Sequence, residues 1–116
     1  MKKFTALFLC VLITACATSG TSMPVLSEKR MSGMKMQQVA DYYKTENEKL
    51  LENIAYNYGG QYREKLAPSL DNMNAEMDAL VRAAPPRNVF DAKAQNIITK
   101  YQAKVKAVTK EAKKGI

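Results

Sequence analysis

The sequence predicts an all-α fold: an extended helical hairpin or a loose three-helix bundle after a flexible N-terminal tether. Three observations lead there. From residue 28 onward, apolar residues recur at spacings of three and four, the period of a helix buried on one face. No segment shows the apolar/polar alternation with a period of two that marks a half-buried strand. Gly59-Gly60 and Pro85-Pro86 punctuate the chain into three long stretches.

The N-terminus comes first. Met1-Lys2-Lys3 is positive, and Phe4 to Ala15 follows without a charge. This apolar run is too short to span a bilayer, which takes about 20 residues. It suits the apolar region of a secretory signal, roughly 7–15 residues long. Leu12-Ile13-Thr14-Ala15-Cys16 then resembles the lipobox of bacterial lipoproteins: an aliphatic residue, two small residues and a Cys. The resemblance covers the first 16 residues. It implies that 1–15 are a removable signal peptide, that the Cys16 thiol carries a diacylglyceryl group, and that the new amino terminus is acylated. Each buried methylene contributes about 0.8 kcal/mol, so several acyl chains make the anchor essentially permanent. Ala17, where Asp would favour retention at the inner membrane, implies the periplasmic face of the outer membrane. In a cell without an outer membrane, the same anchor implies the outer face of the cytoplasmic membrane. Cys10 would leave with the signal, so no free thiol is expected for disulfides, nucleophilic catalysis or metal binding.

Residues 16–27 are expected to form the lipid anchor and a flexible tether. The run ATSGTSMPVLS is small and polar, with Gly20 and Pro24. Eleven such residues reach roughly 18 Å, at about 5–6 Å × √n. The helical domain is expected over 28–116.

A first helix is predicted from about Glu28 to Tyr58, firm from near Met34 because Gly33 weakens its start. Its stripe is Met36, Val39, Tyr43, Leu50 and Ile54, interrupted at Glu46 or Asn47. Gly59-Gly60 ends it, since Gly accepts a left-handed cap cheaply. A second helix has the cleanest period, with Leu66, Leu70, Met73, Met77, Leu80 and Ala84 in one seam. Two starts are open: Pro68 lies in the first turn, or it kinks a helix that began near Gln61. Pro85-Pro86 stops that helix. A third helix is expected to start at Asn88 as cap, with Asp91 as the acidic half of a capping box. Its stripe is Phe90, Ala94, Ile97, Tyr101, Val105, Val108 and Ala112, and Gly115 ends it.

Composition limits the core. Residues 16–116 contain only 17 Leu, Ile, Val and Phe among 101, below the roughly 20% level at which disorder becomes a concern. Six Met and six Tyr, with Ala, occupy many stripe positions and make up part of the difference. Such a core specifies packing weakly, because Met is flexible and Ala buries little.

The charge is uneven. The whole chain carries +7, of which Lys2 and Lys3 belong to the signal. Residues 16–99 balance, so the surplus lies in Lys100, Lys104, Lys106, Lys110, Lys113 and Lys114 against Glu111. These lysines are expected on the side of the helix opposite Tyr101, Val105 and Val108. They form a basic interaction face for phospholipid headgroups, peptidoglycan carboxylates or an acidic protein, or else a solvated face complementing the helix dipole. Braun-type murein lipoproteins attach through a C-terminal Lys; with Lys114-Gly115-Ile116 here, that linkage is not expected. An export signal argues against a nucleic-acid partner.

No enzyme constellation is visible. The absence of His removes a Ser-His-Asp site. Glu46, Glu48, Glu52, Glu76 and Asp78 are expected to be solvated or salt-bridged. No Gly-rich phosphate loop occurs. Met31, Met34 and Met36 could offer soft thioether ligands to Cu(I), but core filling is the preferred reading. Tyr42, Tyr43, Tyr56, Tyr58 and Tyr62 are expected as one band of core and rim packing. No cofactor is expected beyond the covalent lipid on Cys16.

These features indicate a non-enzymatic, membrane-anchored envelope lipoprotein acting as an interaction or chaperone-like module. The passage Met77 to Lys106 is vaguely similar to Spy/CpxP-type periplasmic proteins, though the L-T-x-x-Q motifs of that family are absent. Two alternatives are a self-assembling structural spacer, pairing through Leu66–Ala84, and a plasmid or phage exclusion lipoprotein. A Cu(I)-binding protein ranks below them.

Overall fold

A computed structural model describes residues 20–115, and the fold over them is all-α. The order is α1 (Glu28–Ser32), α2 (Met36–Tyr58), α3 (Gly60–Ala83) and α4 (Arg87–Lys114). None of these helices is long and apolar enough to cross a membrane. The signal peptide expected at 1–15 and the lipid site at Cys16 lie outside the described residues.

Cross-helix pairs fix the topology. Lys44 meets Asp78 at 3.0 Å, and Asn47 meets Asn74 at 3.0 Å, so α2 and α3 run antiparallel. Glu76 meets Lys100 at 3.0 Å and Lys65 meets Glu111 at 2.6 Å, so α3 and α4 also run antiparallel. The helices α2 and α4 therefore point the same way on either side of α3. They touch each other only sparingly. The end where α2 and α4 begin is called proximal here, and the end with the Gly59-Gly60 turn distal.

The first predicted helix divides in two. Ser27 caps α1, its hydroxyl accepting from the Arg30 N–H at 3.1 Å. The Gly33 N–H then closes on the Arg30 carbonyl and the Met34 N–H on that of Met31. Lys35 is extended (φ −71°, ψ 155°), and its N–H donates to the Gln38 side chain at 2.7 Å, so α2 starts afresh at Met36. Val39, Tyr43, Leu50 and Ile54 are buried as the stripe requires, and Asn47 fills its polar gap.

The α2–α3 turn is a single residue, Gly59, at φ +115° and ψ 156°. The start of α3 at Gly60 decides for the earlier of its two expected starts, with Pro68 inside the helix. Leu66, Leu70, Met73, Met77 and Leu80 are buried. Ala84 is not part of the seam. It is exposed and left-handed (φ 48°), closing α3 through its N–H to the Val81 carbonyl, because Pro85 keeps it out of the right-handed region. Helix α4 opens at Arg87 after Pro86, with no side-chain cap. Asn88 does not cap it, and Asp91 pairs with Arg87 at 2.8 Å instead. The buried member of the stripe is Ile98, whereas Ile97 is half-buried.

The largest departure lies before α1. The expected tether, 16–27, is not free along its described part. Met23 and Leu26 are 3% and 2% exposed, and Met31 is fully buried. The Tyr43 hydroxyl donates to the Pro24 carbonyl at 2.8 Å and accepts from the Leu26 N–H at 3.1 Å. From α4, Gln95 donates to the Leu26 carbonyl at 3.1 Å and Arg87 to the Met31 carbonyl at 2.5 Å. The segment thus fills the proximal gap between α2 and α4. Its three apolar side chains compensate for a core poor in Leu and Ile, each contributing about 1.5–3 kcal/mol on full burial.

Candidate interaction site

The side chains with a shape suited to a partner lie on α3 and α4. Successive residues of these helices leave a groove of about 520 Å³ between them, lined by Glu76, Ala79 and Leu80 from α3 and by Lys93, Asn96, Ile97 and Lys100 from α4. Its floor is apolar: Ala79, Leu80 and Ile97. The 93/97/100 spacing places two lysines and an isoleucine on one face of α4, since positions three and four apart are neighbours on a helix.

One wall is fixed by a cluster of charges. Lys100 contacts both carboxylate oxygens of Glu76, at 3.1 and 3.0 Å, and the Tyr101 hydroxyl donates to the same carboxylate. The Lys100 ammonium also sits 4.9 Å from the centre of the Tyr101 ring. The Tyr101 hydrogen bond, reinforced by Lys100, holds the Glu76 carboxyl below its ordinary range. The reciprocal bond from Glu76 raises the Lys100 ammonium. Burial, then the Glu76 bond, raises the Tyr101 phenol. All three groups therefore keep their neutral-pH charge states. They make a stable hydrogen-bonded wall.

The basic face expected from sequence is divided by this arrangement. Lys100 belongs to the groove and is paired. Lys104, Lys106, Lys110, Lys113 and Lys114 are exposed toward the distal end, and their one acidic neighbour in the segment, Glu111, is held by Lys65. Ile97 was expected in the apolar stripe rather than at a groove, and Lys93 and Asn96 were not singled out as site residues, although their i, i+3, i+4 spacing with Lys100 at i+7 was a usable signal. The five tyrosines do not form one band. Tyr43 is fully buried at the proximal end with Tyr42 edge-on at 5.1 Å. Tyr58 and Tyr62 pack near the distal turn, where Tyr56 is 89% exposed. Met31 is core, and Met34 and Met36 pack partly buried against it. Among the described residues, no three His, Cys, Asp or Glu side chains converge as a metal-binding set.

A second groove, about 450 Å³, lies between α2 and α3 and is of mixed character, with Lys44, Glu48, Arg63 and Asp71 around Asn47 and Asn74. Asn47, 1% exposed, donates from its Nδ2 to the side-chain Oδ1 of Asn74 and to the Met73 sulfur, while its own Oδ1 has no hydrogen-bond partner. This pair locks the register of α2 against α3.

Comparison with protein-family models, curated proteins and solved structures gives no significant match to this chain. The functional reading therefore rests on the residues and their geometry.

Proposed function

We propose that this protein is a non-enzymatic envelope lipoprotein, anchored through lipid on Cys16, that works as an interaction or chaperone-like module by holding apolar segments of other proteins in the α3–α4 groove. The observation that carries the reading is the groove itself. An apolar floor accepts Leu-, Val- or Phe-type side chains, while the polar rim of Lys93, Asn96 and Lys100 satisfies the backbone and acidic groups that flank such segments. The Glu76–Tyr101–Lys100 wall keeps the groove open without consuming the floor.

The spacer alternative has less to support it. The seam Leu66 to Leu80 is buried within the fold, so it is not free to pair between chains.

The test uses the whole protein in detergent micelles and a client that aggregates on dilution from denaturant. Suppression of client aggregation at substoichiometric amounts is expected, together with its loss in Ala79→Gln/Ile97→Gln, which places amides on the floor at an exposed and a half-buried position. Equal suppression by parent and variant would remove the groove from the mechanism. Absence of lipid on Cys16 by intact-mass measurement would remove the anchor.

A further inference from the structure

We infer that the distal half of α4 is a docking face for a hydrated, carboxylate-bearing polymer, the anionic peptidoglycan of the cell wall. The choice of that polymer rests on the envelope reading above, whereas the existence of the face does not.

Within α4, Arg87 pairs with Asp91, Lys100 with Glu76 and Glu111 with Lys65. Among the described residues, Lys104, Lys106, Lys110, Lys113 and Lys114 have no carboxylate partner. The only acid in their stretch is neutralised from α3. Two of these lysines lie in the last turn, where the helix dipole favours them. The dipole acts only over the last turn, so it does not account for Lys104 and Lys106, two to three turns earlier.

The surroundings of the lysines then choose among anionic partners. A helix that settles into a bilayer surface needs large apolar side chains on the face that enters it. Here the apolar side of α4 is spent in the core, with Val108 half-buried against it, and the exposed side between Lys104 and Lys114 carries the lysines, Ala107 and the paired Glu111. A folded protein partner would be met through aromatic and Arg anchors, while Lys is depleted from such interfaces. The stretch contains no Arg. Flexible, strongly hydrated ammonium groups suit a polymer whose charges are themselves mobile and hydrated.

Geometry agrees. The chain enters the fold at the proximal end, where Met23 and Leu26 are seated. Leu26 is bonded to Gln95 of α4, and Lys104 to Lys114 lie about 14–28 Å farther along the helix than that residue, at 1.5 Å rise per residue. At physiological ionic strength, charges act over about 8 Å. An upright molecule therefore presents its lysines well beyond the headgroups of the leaflet that holds its anchor.

The experiment is co-sedimentation of the intact protein, in non-ionic detergent, with purified peptidoglycan sacculi. Binding is expected at about 50 mM salt and a loss of roughly tenfold or more at about 200 mM, as counterion release requires. Lys106→Gln/Lys110→Gln/Lys113→Gln/Lys114→Gln should abolish binding. A control removing the same charge elsewhere, Lys29→Gln/Lys35→Gln/Lys49→Gln/Arg82→Gln, should retain it, with circular dichroism confirming that both fold. Amidating the sacculus carboxylates should abolish binding by the parent. Equal losses in the two quadruple variants, unchanged binding to amidated sacculi, or binding to anionic phospholipid vesicles in place of sacculi would each overturn the inference. Ala79→Gln/Ile97→Gln should leave sacculus binding intact. Client suppression lost with sacculus binding kept confirms both assignments, and a parent that suppresses aggregation yet ignores sacculi overturns this one alone.

Discussion

Replacing Tyr43 by Phe isolates one oxygen atom. The ring keeps its volume in the core, so packing is unchanged, and only the hydroxyl between Pro24 and Leu26 is lost. Leu26 is 2% exposed, so its N–H is left buried without a partner, at a cost of about 1–3 kcal/mol. Pro24 is half-buried and its carbonyl can turn to water, so losing that bond costs about 0.5–1.5 kcal/mol. Together the substitution should cost about 2–4 kcal/mol and lower Tm by roughly 10–25 °C for a domain of this size. The effect should begin locally: hydrogen exchange should show residues 23–31 losing protection while α3 keeps it. There is also an alkaline signature. Burial pushes the Tyr43 phenol from 10.0 to about 12. A raised acid in the folded state stabilises fully below pH 10, and that contribution fades as pH climbs toward 12, worth of order 2 kcal/mol. The Phe variant should lack this alkaline step. A variant with the parental Tm and an equally protected Leu26 amide would refute the idea that this hydroxyl fastens the N-terminal segment.

Four further outcomes follow from other positions. Asn74→Ala leaves the buried Asn47 amide with only the weak Met73 sulfur acceptor and should cost about 1–3 kcal/mol by urea unfolding, whereas Asn47→Leu/Asn74→Leu should be near neutral or stabilising at the expense of α2–α3 register. Pro68 is the ninth residue of α3 and denies the Glu64 carbonyl its helical donor, so Pro68→Ala should raise stability by about 1–3 kcal/mol, visible as a higher Tm. Gly59→Ala forces a Cβ onto a backbone at φ +115° with nothing around it to clash, so a loss of about 1–3 kcal/mol would come from conformation alone. The lowered Glu76 carboxyl contributes stability above its ordinary value of 4.5 and loses it as pH falls through the lower folded value; Tyr101→Phe should flatten that acid dependence in urea midpoints.

Much of the helical framework is written in the spacing. Leu66 to Leu80 has a strict four-three period and is buried without exception. Errors fall where a local rule was overridden. Ala84 fits the seam numerically, but Pro85 governs its backbone. Asp91 stands three residues after Asn88, but an arginine four residues before it is the better partner. Ile97 and Ile98 are adjacent, and a stripe through a straight 28-residue helix drifts enough that either could face inward. The docked N-terminal segment was hidden for a compositional reason: Gly, Ser, Thr and Pro signal a tether, and the short run Met23-Pro24-Val25-Leu26 does not outweigh them. The groove was only half legible. Its α4 side spans two turns of a single helix at i, i+3, i+4 and i+7, but its α3 side depends on how two helices align, which Glu76–Lys100 and Lys65–Glu111 settle in three dimensions.

The seating of the N-terminal segment has a consequence for the order in which the molecule assembles. The two hairpins form between neighbours in sequence, so they can close early. The contacts that hold Leu26 and Met31 reach across 69 and 56 residues to Gln95 and Arg87. The residues made first must therefore wait for those made near the end. Until α4 is in place, Met23, Leu26 and Met31 have no complete slot to enter, and their side chains remain available to water, to chaperones and to proteases. Docking of this segment is thus a report of completeness: a truncated or misfolded α4 leaves the leading residues unclaimed, and cleavage near Met23–Met31 is a direct measure of molecules that have not finished folding.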